Sequence, residues 1–203
     1  MRHADCACAA VHSLEARAQA LRPGMIGVEF TLTGDLRALR IPPPGPAQRA
    51  AELWRHTCFE AFVRCDGLPG YLELNFSPSG AWQAYRLGGY RQDMASAELP
   101  APPHLTLGQR ERSGGAADAL VLEALVHLPS PYADTPRGLA LALSAVVEDE
   151  MGGLSYWALR HAPGRPDFHH PDAFALTLAW TGDPPPPVIP CEPHEIRYRS
   201  SAH

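Results

Sequence analysis

The sequence predicts an all-β protein, a sandwich or barrel of about ten short strands, with a short N-terminal arm and a Pro-rich C-terminal tail. Three observations carry this. Short apolar runs recur along the chain with Gly/Pro turns between them. Several runs alternate apolar and polar residues with a period of two, the signature of a strand with one face buried. Long runs with helical spacing are almost absent. With 203 residues the chain can bury one large core without disulfide staples.

The elements follow in order. Residues 1–23 read as an arm, because Val11, Leu14, Ala18 and Leu21 have helical spacing and Pro23-Gly24 stops the run. Residues 24–181 read as the sandwich. Ile26, Val28, Phe30 and Leu32 alternate with polar or small neighbours and mark its first strand. Gly34-Asp35 signals a turn, after which residues 36–41 are expected to return as a strand. The Pro-rich stretch 42–46 is a loop, since each Pro removes a ladder donor, with one helical turn expected in residues 47–53. Strands are expected at 57–64, 71–77 and 81–87, and again at 119–128, 139–147, 154–159 and 173–180. Residues 182–203, with Pro at 184 to 187, read as an extended tail.

Composition excludes some classes of function. All 17 basic residues are Arg, the net charge is −5, and no basic run occurs, so nucleic acid is not an expected partner. No apolar stretch approaches the roughly 20 residues of a membrane span, and the N-terminus lacks a signal-peptide core. The expected location is the cytoplasm, with the five cysteines reduced.

The stretch from Leu53 to Gly80 concentrates the chemistry. In 71–77, Leu72, Leu74 and Phe76 share one face, while Tyr71, Glu73, Asn75 and Ser77 share the other. That second face is either solvent-facing or the floor of a groove. On the neighbouring strand Glu60 interrupts an otherwise apolar face between Cys58 and Phe62, and a buried carboxylate there needs a partner. An Arg or a ligand could supply it.

Trp54-x-x-x-Cys58-Phe-Glu60-Ala-Phe62, then Tyr71-x-Glu-x-Asn75 and Ser77-Pro-Ser-Gly80, resembles the DOMON-like superfamily and its family 9 carbohydrate-binding modules. The resemblance implies a single antiparallel β-sandwich, jelly-roll-like, in which two aromatic side chains hold a sugar and polar groups on adjacent strands hold its hydroxyls. Carried over residue by residue, the clamp is Trp54 and Phe168, and the polar floor is Glu60, Glu73 and Asn75. Arg55, His169 and His170 then lie at the rim. The sequence departs from the family's sugar binders at Phe168, where they use Trp, and at Glu73, where they tend to carry a basic group. The expected function is non-catalytic binding of a sugar or sugar-like metabolite.

Two alternatives remain open. His56, His161 and His170 could hold zinc, and haem could use a Met and a His, although neither Met94 nor Met151 matches a ligand position. The set His3, Cys6, Cys8 and His12 reads as incidental. The Pro-rich loop 42–46 or the tail 184–187 could instead contact a protein partner. Glu60 and Glu73 could form an acid–base pair, but no nucleophile elbow or oxyanion signature accompanies them, so catalysis is not the expected role.

Overall fold

A computed structural model describes residues 1–6, 8–112, 116–134 and 138–180. Two sheets face each other. The smaller has the order β1 (Val11–Arg22), β2 (Met25–Gly34), β9 (Ala116–His127) and β8 (His104–Arg112). The larger runs β11 (Leu154–Ala158), β10 (Leu139–Glu148), β4 (Cys58–Cys65), β5 (Tyr71–Phe76), β6 (Ala81–Leu87) and β3 (Gln48–Arg49). Two short strands extend it: β12 (Leu176–Leu178) pairs with β10, and β7 (Ala95–Ser96) pairs with β6. Among the described residues every strand pairing is antiparallel except β3 with β6. The predicted all-β antiparallel sandwich is the fold. Among the described residues no helix is long and apolar enough to cross a membrane.

Alternation along each strand sorts side chains between two interiors. Phe59, Ala61 and Val63 of β4, Leu72, Leu74 and Phe76 of β5, and Leu141, Leu143 and Ala145 of β10 point between the sheets. They meet Ile26, Val28, Phe30 and Leu32 of β2 there. Phe30 and Phe59 touch across the gap, with ring centroids 5.1 Å apart. The opposite face of the larger sheet is also buried. Phe62, Tyr71, Tyr85, Leu87, Ala142 and Val146 form a second cluster there with Phe168 and Ala173. All six residues of β5 are buried, so neither of its faces is wet.

Four expectations are corrected. The helical arm is a strand: β1 pairs with β2 over its whole length, and Leu14, Ala16 and Ala18 pack on the core. Val11–Arg22 therefore belong to the smaller sheet, while Arg2 bridges Trp157 on β11 of the larger one. Residues 36–41 hold a 3-10 turn at Leu36–Ala38 stabilised by Asp35, whose Oδ1 accepts from Arg37 N at 3.1 Å. The helical turn expected in 47–53 lies later, at Leu53–Arg55, with β3 before it. Residues 173–180 keep only β12 as strand, and Trp180 is half-buried against the core. The polar stretch after β6 also holds β8, which was not expected. Trp82 and Trp157 are buried in the core. The Pro-rich tail and Cys191 lie outside the described residues, and Cys6, Cys8, Cys58 and Cys65 are free thiols.

One turn fixes where β5 begins. Gly70 has φ +74°, and a Cβ there would stand 1.9 Å from the carbonyl oxygen of Leu87, on the strand that pairs with Tyr71. A Gly70→Ala variant is expected to lose about 1–2 kcal/mol in urea unfolding. An unchanged midpoint would refute the close approach.

Candidate binding cavity on the larger sheet

The outer face of the larger sheet is roofed by the 3-10 turn Leu53–Arg55, the loop after β6 and the segment after β11. Between them lies a cavity of about 460 Å³. Glu60 of β4, Glu73 of β5 and Val146 of β10 form its floor. Trp54, Tyr156 and Phe168 stand around it, with Arg55 and Arg91 at its edges and His169 beside Glu73. The volume suits a small organic molecule.

The walls are braced. Trp54 stacks edge-on against Tyr85 at 5.7 Å, and Phe168 against Tyr156 at 6.1 Å between centroids. Asp167 ties the roof together. It accepts from Arg91 Nη2 at 2.8 Å, from the Tyr90 hydroxyl and from the backbone N–H of His169 at 3.1 Å. Partial burial alone would raise the Asp167 pKa, but these donors hold it below the ordinary aspartate value. The Tyr71 hydroxyl accepts from Arg91 N at 3.3 Å and lies 2.8 Å from His169 Nδ1. With Tyr71 donating to Nδ1, the neutral imidazole carries its proton on Nε2, 4.0 Å from Glu73 Oε2. Burial first, and Arg91 second, lower the His169 pKa to about 4, so this ring is neutral at pH 7.

The floor is where the polar accounting fails. Glu60 is 3% exposed, Glu73 4% and Asn75 0%. Asn75 Nδ2 donates to Glu73 Oε1 at 2.8 Å. Yet Glu60 Oε1, Glu73 Oε2 and Asn75 Oδ1 have no hydrogen-bond partner in the protein, and neither does Ser144 Oγ, opposite Glu60 on β10. Burial raises both carboxyl pKa values, and the charge of Glu73 raises that of Glu60 further. Arg91 partly offsets the rise at both, and the Asn75 hydrogen bond offsets it further at Glu73; the two carboxyls titrate as a pair. Orphaned buried acceptors of this kind carry a desolvation cost of about 1–3 kcal/mol each.

Six of the eight residues expected at a site line the cavity: Trp54, Arg55, Glu60, Glu73, Phe168 and His169. Asn75 lies beneath it, orienting Glu73. His170 lies outside it: its Nδ1 accepts from Asp172 N at 3.2 Å and so caps the 3-10 turn Pro171–Ala173. The alternative metal set is not assembled. His56 contacts Glu148 at 2.7 Å, His161 contacts the carbonyl of Met1 at 2.9 Å, and His170 holds its turn. Among the described residues no three His, Cys, Asp or Glu side chains are grouped to hold a metal ion.

Arg91, Tyr156 and Met94 also line the cavity but were not foreseen. Tyr156 could have been found by alternation, since its neighbours Ser155 and Trp157 are buried on the other face. Arg91 and Met94 lie in an irregular loop, which no periodicity marks.

Fold and cavity together define a β-sandwich with a roofed, concave site on the outer face of its larger sheet. No family model matches the chain, and no curated protein matches it. The DOMON-like resemblance thus rests on the motif residues alone. The fold is similar to a solved one, the crystal structure of a "putative carbohydrate-binding protein" from Bacteroides uniformis ATCC 8492. The two superpose with a TM-score of 0.53 at 14% sequence identity, over 82% of this chain and 77% of that one.

Proposed function

We propose that this protein binds a small polar molecule, a sugar or sugar-like metabolite, in the cavity over Glu60 and Glu73. One observation carries the reading. Two nine-tenths-buried carboxyl groups line a cavity of small-molecule size, and each has an oxygen with no partner in the protein. A ligand that hydrogen-bonds there removes a standing desolvation cost. Trp54 and Phe168 would stack on its apolar faces, as aromatic walls do in mostly apolar sites with few polar anchors. The description of the Bacteroides uniformis protein as carbohydrate-binding agrees with this choice of ligand class.

Calorimetry and intrinsic Trp fluorescence against a panel of mono- and disaccharides test the reading. A binding sugar is expected to perturb the Trp54 emission. Trp54→Ala should weaken it at least about tenfold, or about 1.4 kcal/mol. Silence across the panel would overturn the sugar reading. An affinity unchanged in Trp54→Ala would overturn the aromatic clamp.

A further inference from the structure

The chemistry of the cavity narrows its ligand further, an inference that rests on the binding reading above. Once the ion pairs are counted, the charge around the floor has one sign. Arg55 is held by Glu52 at 2.8 Å, and Arg91 by Asp167 at 2.8 Å. His169 is neutral at pH 7. Burial raises the phenols of Tyr71 and Tyr85, and it pushes the Cys58 thiol up, with Glu60 adding to the rise. Those three stay neutral as well, as do Asn75, Gln83 and Ser144 beside them. What remains uncompensated is Glu60 and Glu73.

The orphaned atoms have one polarity too. In their ionised form Glu60 Oε1 and Glu73 Oε2 are acceptors, as Asn75 Oδ1 always is, and the Asn75 amide already donates to Glu73. Glu60 and Asn75 are paired across the β4–β5 ladder, with Glu73 two residues away on the same face. The three acceptors therefore belong to one patch. Above it stand the ring systems of Trp54, Tyr156 and Phe168, whose faces attract cations.

We infer that the cavity receives a protonated amine: an amino sugar or a similar small primary ammonium compound, its N–H groups directed at Glu60 and Glu73. A primary ammonium brings three donors and a positive charge. A neutral polyol brings hydroxyls but leaves the carboxylate charge unpaired. An anionic metabolite would add like charge to the floor.

Binding of this kind moves a proton. Burial raises both carboxyls of the free pair, and the charge of Glu73 adds to the rise at Glu60, so the pair holds a proton more tightly than free glutamates do. An ammonium beside it favours the ionised form, so a proton shared by the pair leaves one carboxyl O–H for solvent as the ligand enters. No bond other than that O–H is broken, and the ammonium–carboxylate contacts replace it.

The experiment uses the full chain and four probes: D-glucosamine, D-glucose, N-acetyl-D-glucosamine and benzylamine. Affinities are measured by calorimetry in phosphate at pH 7. Proton release is followed with a pH electrode in unbuffered solution. D-glucosamine is expected to bind at least tenfold more tightly than D-glucose or its own N-acetyl form, with release approaching one proton per ligand. Glu60→Gln should abolish the release, and Glu73→Gln should erase the preference over D-glucose. Equal affinity for D-glucose and D-glucosamine without proton release would overturn the inference and leave the sugar reading intact. Benzylamine binding with proton release, when no saccharide binds, would support the ammonium site and overturn the sugar reading. Silence to all four probes would overturn the ammonium site, and the wider saccharide panel then decides the other reading.

Discussion

A Glu60→Gln variant is expected to melt at a higher temperature than the wild-type chain in the absence of ligand, by a margin that widens as pH rises. Glu60 is buried on the cavity floor, and burial followed by the charge of Glu73 raises its folded-state pKa well above the ordinary value. In the unfolded chain the same group ionises near the ordinary glutamate pKa. Between those two values the folded state holds a proton that the unfolded state has lost. Stability is therefore fully present below the unfolded pKa and declines as pH climbs toward the folded one. The slope for one such group is about 1.4 kcal/mol per pH unit. Gln fills the same space and never ionises, so the variant is spared this decline. Thermal melts of both chains at intervals from pH 5 to pH 8 would show the curves diverging. Parallel curves would refute the burial of an ionisable Glu60. A gain in stability together with weaker binding of the ligand is the pattern of a site kept for function at the expense of the fold.

The larger loss is expected one residue away. Phe59 is wholly buried between the sheets and packs on Phe30. Phe59→Ala removes an aromatic from a region where both sheets must close around the gap, and such truncations cost about 3–5 kcal/mol. For a chain of this size the melting temperature should fall on the order of 10 °C. Folded Phe59→Ala protein should nevertheless keep the ligand affinity of the wild type, because Phe59 faces away from the cavity. A drop in stability below 1 kcal/mol, roughly the cost of a surface change, would mean the sheets are not in contact there. A large loss of affinity in protein still folded would mean the two faces of β4 are not independent.

These two neighbours show what could be read directly from the chain. Period-two alternation assigned Leu72, Leu74 and Phe76 to the core, and the odd carboxylate at Glu60 stood out because its strand is otherwise apolar. Those signals are local and survive folding. The N-terminal strand was obscured for a physical reason. Leu14, Ala16, Ala18 and Ala20 do alternate with Glu15, Arg17 and Gln19, but Ala is weakly apolar and a strong helix former. Two of the alternating residues plus Leu21 also match helical spacing, and pairing with β2 decides between the two. The roof of the cavity was harder still. Arg91, Tyr90 and Asp167 come from two loops far apart in sequence, joined by one ion pair and one hydroxyl contact. Nothing in either segment alone announces the other. His170 drew attention as an imidazole, yet it serves its own turn.

The double burial of β5 has a bearing on how such a protein could acquire new partners. Its side chains serve two interiors, and neighbouring codons answer to different constraints. Leu72, Leu74 and Phe76 are committed to the other sheet, whereas Glu73, like Glu60 on β4, faces the cavity. Selection, or a combinatorial library, can rewrite those alternate positions without reopening the gap between the sheets. Ligand preference is then an interchangeable layer laid over a fixed chassis, and a change of specificity need not pass through an unfolded ancestor.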